Sequence, residues 1–231
     1  MTSPLGRRAD RSASLLLLFL LAGASALARG PARWKLRKIA TSDEVRRKRQ
    51  RAEHELRARA EEIGRSGPWG PALRTTLVDS CTRGGARNLF DRNAPKQPAM
   101  SCTLRLHLYF VVDRPVPDIV GDLRSMTTPA VWSEDSIRAV LRYYETEVHA
   151  SPHTYPPSVG SLKGGEQLSW DAPGDNVRAK VAEPRPGRRK AVLGTCASDP
   201  ADVTLRALRE RPGTLFAWTL TTGYHTVQGT R

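Results

Sequence analysis

The chain has 231 residues, with 37 Lys and Arg against 23 Asp and Glu, a formal charge of +14 and three cysteines. This length suits one substantial domain, or a domain with an appended helix. Three scattered cysteines show none of the short paired spacings of a zinc site, and the basic excess fits either an anionic counterpart or a solvated surface with no specific partner, with no nucleic-acid recognition motif beside it.

The chain opens with Arg7, Arg8 and Arg11, then an unbroken apolar run from Leu15 to Leu21, then small residues ending in Ala26-Leu27-Ala28. A charged start, a short apolar centre and an A-x-A site are the three parts of a secretory signal peptide. The stretch 13–28 is short for a membrane span, which needs about twenty apolar residues, so residues 1–28 are expected to be a signal peptide or a signal-anchor. Arg29, Arg33, Lys35, Arg37 and Lys38 follow directly. Positive charge of this kind tends to stay on the cytoplasmic side, so they leave the orientation open. The expected location is extracytoplasmic, secreted or anchored.

Residues 29–66 hold 13 Lys and Arg against 6 Asp and Glu, while residues 67–231 hold 21 against 16. The basic excess therefore concentrates near the apolar segment. Within it, residues 41–64 read as a helix: Thr41 and Glu44 form a capping box and Gly64 supplies the stop. Asp43/Arg47, Glu44/Lys48, Glu53/Arg57 and Glu55/Arg59 are acid-to-base pairs four residues apart. The apolar stripe Val45, Ala52, Leu56, Ile63 is thin, which predicts a solvated basic juxtamembrane stalk over 29–66. Residues 65–71, rich in Gly and Pro, mark the boundary to a domain over 67–231.

That domain starts with a strand at 74–81, followed by a polar Gly/Asn/Pro loop and the best strand in the chain, 103–113. There Leu104, Leu106, Leu108, Phe110 and Val112 alternate to one face, with Arg105 and His107 on the other. A short helix carries Ile119, Val120, Leu123 and Met126. Ser133 caps another over 133–149, striped by Ile137, Val140, Leu141, Tyr144 and Val148. A Pro/Ser/Gly-rich loop spans 150–165, and short strands follow at 167–170, 177–182 and 190–196. Asp199-Pro200 reads as a helix start, Pro212-Gly213 as its end, and residues 215–227 as a last strand with Phe216, Trp218, Leu220 and Tyr224 on one face. The order indicates an α+β fold: a mostly antiparallel sheet with two or three packing helices. No internal repeat is present.

Cys81 and Cys102 flank the polar loop. A bridge between them would close it and stabilise the fold by roughly 3 kcal/mol, and export makes the bridge chemically permitted. Cys196 is then left over, as a small buried hydrophobe or a thiol free to pair elsewhere.

No catalytic, cofactor or metal residues emerge. His149 and His153 have the spacing of two zinc ligands on one helix face, but Pro152 breaks that helix and no acid fills the HExxH position. His107 and His225 read as solvated strand histidines. Glu145 and Glu147 fall on different helix faces, Lys163-Gly164-Gly165 is too short for a phosphate cradle, and no G-x-S-x-G elbow occurs.

Asp79-Ser80-Cys81, Gly84-Gly85 and Cys102-Thr103-Leu104-Arg105, set behind an apolar segment and a charged helix, resemble a loosely defined group of uncharacterised exported or membrane-anchored actinobacterial proteins. The resemblance covers about a third of the chain. It departs at Trp132, which follows Val131 where the group often has Gly-Trp. It implies a disulfide-stapled envelope domain and carries no activity to transfer. The expectation is a non-enzymatic cell-envelope protein, its 29–66 segment facing a membrane surface or anionic polymer, with a protein partner as a further expectation. A secreted hydrolase with a site near the 150–165 loop, using His153 and Tyr155, is the alternative. A nucleic-acid binder is a third reading, for a chain that stays in the cytoplasm.

Overall fold

The computed structural model describes residues 31–84, 98–126, 132–147, 158–161, 165–171, 180–186 and 191–229. Among them are five helices, α1 (Arg33–Ala40), α2 (Asp43–Ser66), α3 (Val116–Asp122), α4 (Glu134–Arg142) and α5 (Leu205–Arg209), and six strands, β1 (Arg74–Arg83), β2 (Met100–Val112), β3 (Val159–Gly160), β4 (Glu166–Trp170), β5 (Ala191–Asp199) and β6 (Thr214–Val227). The strands form one sheet in the order β3-β4-β6-β2-β1-β5, and every pairing is antiparallel. The α+β expectation holds, and α1 adds a helix to the two or three packing helices and the charged helix anticipated.

The register explains the core. Leu106 of β2 lies between Leu77 of β1 and Leu220 of β6, and Leu108 and Phe110 lie beside Trp218 and Phe216. The alternating apolar positions therefore stack into one face, where Leu104, Leu106, Leu108 and Phe110 are all fully buried. α2, α3 and α4 close over this face through Leu56, Ile63, Ile119, Val120, Ile137 and Val140. On the other face a smaller cluster joins Tyr109, Leu215 and Ala217 to Leu205 and Leu208 of α5 and to Val181. That the sheet carries apolar packing on both faces follows from Tyr109 and Leu215, which interrupt the polar half of their strands.

The stalk expected over residues 29–66 gives way to two packed helices, and the reason lies in the spacing. Val45, Arg49, Ala52, Leu56, Arg59 and Ile63 recur every three or four residues, so they share one helix face. Counting only apolar residues left two gaps in that stripe. Arg49 Nε reaches Asp79 of β1 at 2.9 Å and Arg59 Nε reaches Glu166 of β4 at 3.2 Å, so both arginines point at the sheet. Trp69, just past the helix, turns back into the core against Phe110 and Trp218 and donates from its indole N–H to the Ile63 carbonyl at 3.2 Å.

Several boundaries move. Ser42, not Thr41, caps α2, its hydroxyl accepting from the Val45 N–H. Thr41 instead ends the unanticipated α1, donating to the Arg37 carbonyl at 3.0 Å. Gly64 lies inside α2, which stops at Gly67. Ser133 caps α4 as anticipated, and a wider π-type turn continues it over Tyr143–Glu147. Asp199 does not start a helix. It is the last residue of β5, paired with Thr75, and α5 begins later under a Thr204 cap. Residues 180–182 form no strand, and residues 177–179 of that expected strand lie outside the described residues. Gly213 fits its turn because φ is +111° and a Cβ there would sit 2.6 Å from the Val112 carbonyl oxygen.

Candidate functional site

Cys81 and Cys102 sit directly opposite each other on β1 and β2 and form a disulfide, with Cα atoms 4.0 Å apart. Both are buried, and they anchor a separate apolar cluster with Leu36, Ala40, Met100 and Val192. Leu36 and Ala40 belong to α1, so the bridge lies directly under that helix. The disulfide closes the sheet corner and also provides the floor on which α1 rests.

Beside the bridge runs a buried polar chain. The Tyr224 hydroxyl lies 3.3 Å from Cys81 Sγ and donates to Asp79 Oδ1 at 2.7 Å, and Arg49 holds the other Asp79 oxygen. Asp79 is 1% exposed. Burial, together with the bond donated to Asp79, pushes the Tyr224 hydroxyl up, so it stays protonated and keeps donating. A carboxylate this deep requires a cation and a donor, and here it has one of each. This network fastens α2 to the sheet.

α1 has the opposite character. Its sequence Arg33-Trp34-Lys35-Leu36-Arg37-Lys38-Ile39-Ala40 buries Leu36 and Ala40 and exposes every basic residue. At 3.6 residues per turn, Trp34 and Lys38 stand roughly 160° and 200° round the helix from Leu36, at the outermost edge. Trp34 is 66% exposed, the one exposed large hydrophobic among the described residues. The Lys35 ammonium lies 5.5 Å from its ring centre, and Arg33 donates to the Ala191 carbonyl at 2.7 Å. Among the described residues, no carboxylate pairs with Arg33, Lys35, Arg37 or Lys38. Arg47 and Arg51, also exposed, extend the positive surface into α2. The sequence showed the charge but not the helix, because eight residues with two apolar contacts give no recognisable stripe.

His107 is not the solvated histidine expected. It is mostly buried, its Nδ1 lies 3.0 Å from the Thr219 hydroxyl, and its Nε2 has no hydrogen-bond partner. Burial, reinforced by the Arg105 guanidinium, pulls the imidazole down to about 4. An imidazole lowered this far is a weak general base at neutral pH. A shallow hollow nearby is lined by Ser136, Ser158, Ser161, Gln167, Thr219 and Thr221. The one carboxylate at its wall, Glu166, is occupied by Arg59 and by the Trp218 indole N–H at 3.1 Å.

His149, His153 and Tyr155, and most of the 150–165 loop, lie outside the described residues. So do residues 1–30 and Gly85. Among the described residues no group of three His, Cys, Asp or Glu is placed to hold a metal, and no helix is long and apolar enough to cross a membrane. Cys196 is a free, exposed cysteine on β5. Its thiol faces the Pro184 carbonyl oxygen at 3.6 Å, and partial burial raises its pKa, which works against thiolate reactivity. No protein-family model, no curated protein and no solved structure matches the chain.

Proposed function

We propose that this is an exported or membrane-tethered cell-envelope protein with a non-enzymatic binding role, and that its basic α1–α2 end faces an anionic surface. One observation carries the reading. The four basic residues of α1 are exposed and have no carboxylate partner among the described residues, whereas the arginines that the fold needs are paired with buried acids. Unneutralised charge held on a rigid helix is binding capacity, worth about 1 kcal/mol per basic residue near a charged surface.

Two further features agree with an extracytoplasmic address. Residues 1–28 have the three parts of a signal peptide, and the Cys81–Cys102 bridge suits an oxidising compartment.

Mass spectrometry of the protein from its native host tests the reading. The expected species begins at Arg29, or is intact in the membrane fraction, and has Cys81 bridged to Cys102 with one alkylatable thiol. It is also expected to be retained on an anionic matrix and released by salt. An intact soluble cytoplasmic chain with three free thiols would overturn the proposal.

A further inference from the structure

We infer that the occupant of the α1 surface is an anionic lipid bilayer, met with Trp34 at headgroup depth and with Lys35, Arg37 and Lys38 against the lipid phosphates, while Arg33 is held by the Ala191 carbonyl. This rests on the reading above and narrows it, since an anionic surface in general would need no tryptophan. Trp34 is the feature that charge alone does not explain.

An indole is a large apolar group with one N–H donor, and it is favoured where an apolar region meets a wet one. Trp34 lies at the apex of α1, opposite the buried Leu36 and Ala40, so it projects away from the domain on a convex surface. A soluble polymer chain would be gripped by a groove. The two best-formed hollows among the described residues lie elsewhere, one along Glu55–Ser66 of α2 and the other beside β4 and β6. A convex helix with an apolar tip between cations matches a plane instead. Lys38 shares the apex while Arg37 and Lys35 flank it, so one approach brings the ring and three charges down together.

Chain length is consistent with this. Five residues separate Ala28 from Trp34, and five extended residues reach at most about 18 Å. With residues 13–28 held in a bilayer, α1 would sit near its surface, within a few Debye lengths of the headgroups. The disulfide cluster beneath α1 keeps Trp34 facing outward, since Leu36 and Ala40 are fixed against Cys81 and Cys102.

The test uses the full chain in two kinds of vesicle, phosphatidylcholine alone and phosphatidylcholine with phosphatidylglycerol. Subtracting the spectrum of Trp34→Phe from that of the unaltered chain isolates the Trp34 signal, so an anchored N-terminus does not confuse the readout. In the anionic vesicles the Trp34 emission is expected to shift to shorter wavelength, to be quenched by brominated acyl chains and to be shielded from aqueous acrylamide. Each of Lys35, Arg37 and Lys38 replaced by Gln is expected to weaken this docking about fivefold, and high salt to abolish it. Circular dichroism and the unfolding midpoint confirm that the variants fold. Trp34 equally open to acrylamide in both vesicles would overturn the inference. If the chain nonetheless binds soluble polyphosphate through the same bases, the broader reading stands and only the lipid assignment fails. Binding to neither overturns both.

Discussion

Arg49 and Arg59 on one side, and Arg33, Lys35, Arg37 and Lys38 on the other, are basic residues on adjoining helices with opposite fates. The first two complete an otherwise broken apolar stripe, because Asp79 and Glu166 wait for them across the sheet. The other four have no carboxylate partner among the described residues; Lys35, Arg37 and Lys38 remain in solvent, and Arg33 reaches the Ala191 carbonyl. The difference lies in the sheet beneath them rather than in the residues. A buried acid turns an arginine into a fastener, and its absence leaves the charge for an external partner. Cost separates them too. Asp79 is nearly inaccessible, so its charge cannot be left alone, while an exposed lysine exchanges one water for another.

The sharpest way to break this comparison is Arg49→Met. It leaves Asp79 buried with Tyr224 alone, and urea denaturation is expected to show a loss on the order of 3 kcal/mol. Pairing it with Asp79→Leu should recover most of that loss, since removing both charges spares the desolvation cost. A double variant no more stable than the single would deny that Arg49 acts through Asp79. Next comes the Cys81→Ala, Cys102→Ala pair, which opens a 21-residue separation and should lower stability by roughly 3 kcal/mol. Hydrogen exchange should rise most at residues 33–40, because α1 loses its floor. Uniform exchange across α1 and α2 would show that the bridge does not support α1 in particular.

Away from both helices, His107 sharpens the contrast by its pH dependence. Its folded value of about 4 lies below the ordinary 6.5, so below pH 6.5 the unfolded chain takes up a proton that the folded one refuses. Stability is therefore complete above about pH 6.5 and falls as the pH drops toward 4, by at most about 3 kcal/mol. His107→Gln should flatten that slope, and an unchanged slope would place the acid sensitivity elsewhere. The smallest effect is the most telling for the surface: Lys38→Ala is expected to move the unfolding midpoint by less than about 0.5 kcal/mol.

How much of this the sequence made legible followed from how local each signal was. The alternation in β2 disclosed its buried face, Ser133 disclosed the start of α4, and Cys81 with Cys102 disclosed their bridge across a loop that had no other staple. α2 was visible as a helix but its docking was not, because Arg49 and Arg59 read as solvent residues until Asp79 and Glu166 are brought opposite them. Those partners lie 30 and 107 residues away in the chain, and only the sheet register places them. His107 was misjudged for the same reason. Alternation put it on the polar half of β2, yet Thr219 and Tyr109 enclose it there. The α1 surface was legible as charge alone, and the outward direction of Trp34 depended on knowing that Leu36 and Ala40 face the disulfide.

One measurement tests the division of labour most directly: the unfolding midpoint and the affinity for phosphatidylglycerol vesicles, taken together on the variant with Lys35, Arg37 and Lys38 all changed to Gln. The account predicts an unchanged midpoint with docking of Trp34 lost. A variant that unfolds early, or that docks as tightly as the unaltered chain, would contradict it.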